Sequence, residues 1–122
     1  MSKSEREKAI NAVAISRIVV GASAWLAPNL SGRLFGLDPE RNPQASYVGR
    51  LFGARDVVLG AGALRAPRKQ KETWLKAGLA CDVAYTAAGM MAGARGTLPA
   101  PAAALVTLTA AAFATVGYLL QR

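Results

Sequence analysis

The sequence contains no histidine and a single cysteine, Cys81. Those two shortages exclude the usual zinc sites, a haem held by histidine, Cys-His dyads and any disulfide framework. Acidic residues are also scarce, 7 Asp and Glu against 15 Lys and Arg, which leaves a net charge of +8. Aromatic residues make up only 7% of the chain. With so few groups suited to acid-base or nucleophilic work, no catalytic constellation assembles, and the chain is expected to be neither an enzyme nor a carrier of a cofactor or metal.

What is abundant is apolar. Hydrophobic residues reach 52% and charged residues 18% of 122, more apolar and less charged than an average soluble domain. The mean hydropathy of +0.24 stays modest because Ala and Gly supply much of that fraction. The length fits one domain, 1–122, with room for four helices on tight connections. Four apolar runs, about 9–27, 46–64, 74–93 and 98–120, are each near the roughly 20 residues that cross a hydrocarbon core. A soluble bundle would need a polar face on every helix, and the last run offers only scattered Thr.

The first run ends at Trp25-Leu26-Ala27-Pro28, where Pro28 stops it, and a linker from Asn29 to Ala45 follows with Leu34-Phe35 as an apolar foot. Gly21-Ala22-Ser23-Ala24 has the small residues of a signal-peptide cleavage site. Arg17 inside the run and Glu5 and Glu7 before it are wrong for one, so a retained span is expected. Thr73 is the expected N-cap of the third run, and Pro99 and Pro101 suit the first turn of the fourth.

Lys and Arg fall at the ends of these runs. Lys3, Arg6 and Lys8 precede the first, and Arg65, Arg68, Lys69, Lys71 and Lys76 surround the middle connection. The other two connections hold only Arg33, Arg41 and Arg95. This alternation matches the positive-inside rule rather than a nucleic-acid surface, and places both termini in the cytoplasm of a multi-pass inner (plasma) membrane protein. Trp25 and Tyr47 then mark the outer interface, Trp74 and Tyr118 the inner, and the basic 65–76 segment meets anionic lipid headgroups. The fold class expected is all-α, an integral membrane four-helix bundle.

Four charges fall near the middle of their runs: Arg17, Arg55, Asp56 and Asp82. Each costs several kcal/mol, about 2.5–3.5 on insertion scales, if it faces lipid, so pairing inside the bundle is expected. Arg55 and Asp56 lie about 100° apart around their helix and should reach different neighbours. The pairings expected are Arg17 with Asp56 and Arg55 with Asp82, or the crossed arrangement. Arg50, nearer the outer end, can snorkel. Asp56 shares a stripe with Gly49, Gly53 and Gly60, and Asp82 with Gly78, Thr86, Gly89 and Gly93. The Gly49–Gly53 and Gly89–Gly93 pairs have GxxxG spacing, so both carboxylates lie on helix-packing grooves. Cys81, Tyr85 and the Met90-Met91 pair read as packing residues. Gly32-Arg33-Leu34-Phe35-Gly36 recurs as Gly49-Arg50-Leu51-Phe52-Gly53, too short a similarity to define a repeat fold.

The stretch Tyr47-Val48-Gly49-Arg50-Leu51-Phe52-Gly53-Ala54-Arg55-Asp56-Val57-Val58-Leu59-Gly60, with Leu34-Phe35-Gly36-Leu37 before it and Trp74 and Asp82 after it, resembles a group of short bacterial membrane proteins. They are catalogued only as a domain of unknown function. The likeness covers residues 30 to 85 and is most specific at the Gly-x-Arg-Asp core, Gly53 to Asp56. It implies a four-helix membrane protein and no established activity. The residues themselves point to a non-enzymatic protein that works by helix association, as a homo-oligomer or as an accessory subunit of a larger membrane complex. The alternative is a small transporter or channel-like protein with a polar path past Asp56 and Asp82.

Overall fold

The computed structural model describes residues 1–121 and contains, among them, five helices and no strand. They are α1 (Lys3–Leu26), α2 (Pro28–Leu34), α3 (Ala45–Arg65), α4 (Arg68–Arg95) and α5 (Ala100–Leu120). The C-terminal residue Arg122, on which the expected cytoplasmic C-terminus rests, lies outside the described residues.

Three boundaries differ from the sequence expectation, each for a local reason. α1 starts at Lys3 instead of about residue 9 because Ser2 and Glu5 form a capping box. Ser2 Oγ accepts from the Glu5 N–H at 3.1 Å, and the Glu5 carboxylate accepts from the Ser2 N–H at 3.4 Å. Pro28 does end α1, yet with its φ preset it also opens α2, so part of the expected linker is helical. The basic connection shrinks to Ala66 and Pro67, and α4 begins at Arg68 rather than Trp74, leaving Thr73 inside the helix instead of capping it. Lys71 stabilises that tight turn. It is 5% exposed, and its ammonium donates to Ala63 O at 2.7 Å, Leu64 O at 3.0 Å and Asn11 Oδ1 at 3.0 Å. One cation thus satisfies two of the carbonyls that end α3 and ties the turn to α1. Gly96, in the left-handed region at φ +71°, closes α4.

The helices pack as two close antiparallel pairs. Between α1 and α3 the backbones touch: a Cβ at Gly21 would lie 2.5 Å from Gly53 O, and one at Gly60 2.5 Å from Ala14 O. Between α4 and α5, Gly89 faces Thr107 and Gly93 faces Ala103. α1 and α4 run parallel and meet across the seam between the pairs, which Ile10, Leu75 and Leu120 close at one end.

The polarity of the interior is inverted relative to a water-soluble bundle. Arg17, Asp56, Lys71 and Asp82 are buried along with many Gly and Ala, while Ile15, Val19, Leu26, Val58, Val83, Met90 and Leu108 are exposed, and among the described residues the large apolar side chains that are buried are Ile10, Leu75 and Leu120. α1 and α5 are long and apolar enough to cross a membrane. α3 and α4 have the length, but α3 carries Arg50, Arg55 and Asp56, and α4 carries Asp82 among many Ala and Gly.

The close α1–α3 contact predicts a position-specific packing cost. Gly53→Leu should destabilise the purified protein by about 1–3 kcal/mol or more, as overpacking does. Ala54→Leu, on the exposed side of the same turn, should stay within about 0.5 kcal/mol. Circular-dichroism melts of both variants decide this, and equal effects would mean that α1 does not lie against Gly53.

Candidate functional site

Arg17 belongs to the buried stripe Ile10, Ala14, Arg17, Gly21 and Ala24 of α1, spaced at three and four residues so that they share one helix face. The small neighbours let α3 and α4 come close, and Gly78 of α4 supplies the floor: a Cβ there would lie 2.7 Å from Arg17 Nη2. On that floor the guanidinium grips Asp82 with both ends. Nη1 donates to Oδ1 at 3.1 Å and Nη2 donates to Oδ2. Nη1 is also 3.8 Å from Asp56 Oδ1, and the Phe113 ring of α5 lies 5.2 Å from Cζ in cation–π geometry. Arg17 therefore reaches α3, α4 and α5 from α1. Arg17 is 6% exposed, Asp56 5% and Asp82 4%, which makes the bidentate fork the strong kind of charge-assisted pair.

Arg55 departs from expectation. Its Nη2 donates to its own neighbour Asp56, Oδ1, at 2.6 Å, and it makes no ion pair with Asp82 among the described residues. Adjacent side chains do start about 100° apart, but the arginine stem is long enough to leave α3 toward α4 and bend its head back. Two rings hold it there. Cζ lies 5.1 Å from the Phe52 centroid and 4.2 Å from that of Tyr85, and those rings stack at 5.4 Å. Arg55 Nε and Nη1 are buried and have no hydrogen-bond partner among the described residues. Asp56 thus serves Arg55 closely and Arg17 at longer range, while Asp82 belongs to Arg17 alone. Of the pairings expected, the closest contact is the crossed one, Arg17 with Asp82.

The six glycines named from the sequence are packing positions within this one chain. Gly53 and Gly60 face α1, Gly49 faces Pro28, Gly78 lies under Arg17, and Gly89 and Gly93 face α5. Thr86, on the Asp82 stripe, donates back to Asp82 O at 2.8 Å. Sequence reasoning missed Phe113, the pairing of Phe52 with Tyr85, and Lys71. Phe113 had no signal in a uniformly apolar run, and Lys71 looked like every other cation of its charge run.

The cluster holds two cations and two anions, so it is neutral and welds the helix pairs together. Arg17→Ala leaves Asp82 buried without a cation, and Asp82→Ala leaves Arg17 only its 3.8 Å contact with Asp56; breaking a buried pair in this way costs about 3–5 kcal/mol, whereas removing both partners can be close to neutral. The double variant should therefore be more stable than either single one, and the coupling for Arg17 with Asp82 should exceed that for Arg17 with Asp56. Double-mutant cycles on unfolding of the purified protein measure both, and couplings below about 0.5 kcal/mol for every Arg-Asp pair would dissolve the cluster as a unit. Searches with protein-family models, among curated proteins and among solved structures find nothing that matches this chain.

Proposed function

We propose that this chain is a small multi-pass protein of the inner (plasma) membrane whose long helices α1, α3, α4 and α5 cross the bilayer as a four-helix bundle. We place both termini and the α3–α4 turn in the cytoplasm, and the chain within the group of short bacterial membrane proteins that it resembles. It acts without catalysis, by helix association, as a homo-oligomer or an accessory subunit of a larger membrane complex. The observation that carries this reading is the inverted polarity: four charges and several glycines inside, with Ile10, Leu75 and Leu120 the large apolar side chains buried beside them, and most Leu, Val, Ile and Met outside. Lipid rewards that arrangement and water penalises it. Because the glycine grooves are filled within the chain, a partner helix would meet the large side chains instead, such as Leu51 and Val58 on α3 or Leu105 and Leu108 on α5. Lys69, Arg68 and their neighbours gather at the end where anionic headgroups would lie, and nucleic acid has no part in this reading.

A second reading, a polar path for a small solute or proton, is favoured by one observation: the two unpartnered donors of Arg55 beside Asp56. Water access separates the two. In the associating protein, native Cys81 and an introduced Val57→Cys stay unlabelled by aqueous maleimide, and in the path-forming protein they label from one side.

Topology is tested with single-cysteine variants in a Cys81→Ala background. Lys69→Cys should react with impermeant maleimide only in inverted vesicles and Glu40→Cys only in intact, outer-membrane-permeabilised cells. The reverse pattern inverts the bundle, and labelling of both positions from both sides removes it from the membrane. Purification in mild detergent followed by mass spectrometry should recover a reproducible partner or a second copy, and a bare monomer at native abundance would count against association.

A further inference from the structure

At the end of the bundle away from the Lys71 turn, the last residues of α1, the short α2 and the first turns of α3 enclose an open cleft of about 510 Å³, lined by Leu26, Asn29, Leu30, Arg33, Ser46 and Arg50. Two guanidinium groups, a hydroxyl and an amide share this hollow with two leucines. Arg50 is aimed by donation from its Nε to Trp25 O at 3.1 Å, and no carboxylate among the described residues lies within ion-pair distance of it. Arg33 has one ion pair, 3.6 Å to Glu40, whose side chain is 84% exposed. So loose and wet a contact does little to neutralise it. The cleft is therefore a concentration of unspent positive charge, with donors of the geometry that recognises phosphate.

Its apolar side narrows the ligand. Leu26 and Leu30 line the cleft, Leu34 follows on α2, and all three are exposed, as are Trp25 and Tyr47 next to the lining residues. A free anion has no use for exposed leucines on an open wall, whereas a lipid presents phosphate and acyl chain together. We propose that this cleft binds the phosphate of an anionic membrane phospholipid. Arg33 and Arg50 hold the phosphate oxygens, Ser46 and Asn29 reach the headgroup, and Leu26 and Leu30 lie along the start of the acyl chains. This inference rests on the membrane reading above and adds a second lipid contact at the face opposite the basic turn.

The chain has two tryptophans, and Trp25 borders the cleft while Trp74 lies far from it against Gly62. In Trp74→Phe protein reconstituted in vesicles, Trp25 fluorescence should be quenched by phosphatidylglycerol brominated near the headgroup at about thirtyfold lower mole fraction than by equally brominated phosphatidylcholine, the ratio that two arginines give at an anionic surface. Adding Arg33→Gln and Arg50→Gln should abolish the difference, and Arg33→Lys with Arg50→Lys, which keeps the charge, should retain part of it and controls for folding. Equal quenching by both lipids, or a preference that survives the glutamine variant, overturns the site. Loss of the preference on adding millimolar inorganic phosphate assigns the cleft to a free anion and overturns the lipid. No quenching by either lipid overturns the membrane reading itself.

Discussion

The rest of the structure depends on a single guanidinium. Arg17 reaches every other long helix: Asp82 and Gly78 on α4, Asp56 on α3 and Phe113 on α5. Removing an arginine from solvent costs several kcal/mol unless its donors are used, and here the fork on Asp82 uses two at once. The two helix pairs have close backbone contact within each pair and a looser seam between them, so that seam is where a charged link changes the outcome most. Burying Arg17 thus fixes which way α4 faces α1, since only one rotation of α4 brings Asp82 and Gly78 to the guanidinium together.

The same constraint explains the small residues. The Arg17 guanidinium lies against α4 where Gly78 lacks a Cβ, and α1 touches α3 where at least one of them presents glycine, as at Gly21 with Gly53 and at Ala14 with Gly60. Space released by those glycines is occupied by charge and backbone, which pushes the large apolar side chains outward. Inverted polarity and glycine-rich contacts are two faces of one packing solution. The orphaned donors of Arg55 are its unfinished part, flanked by Phe52 and Tyr85 instead of by acceptors.

Much of this was legible in the chain because each signal was local or periodic. Runs of suitable length predicted the long helices, and their mid-run charges with glycines at three- and four-residue spacing predicted buried polar positions. The helix starts were less legible. Ser2 with Glu5 is a readable capping box, obscured by the charges around it, and the helical 68–73 segment was obscured by its basic character, which reads as a loop. Partner choice was not legible at all, since depth along a helix says nothing about the reach of an arginine stem. Arg55 bending back to Asp56 required the two rings, one of them on a different helix.

Lys71 makes the α3–α4 turn conditional on the placement of α1. Its ammonium takes two acceptors from the end of α3 and a third, Asn11 Oδ1, from α1, so the turn is complete only when three segments are present at once. Asn11 and the Ala63 and Leu64 carbonyls come together around one ammonium only when α1 lies against α3 in its native register. Lys71 is in that sense a latch between the first hairpin and the helix that follows it. A chain in which α1 had strayed would leave that buried cation one acceptor short.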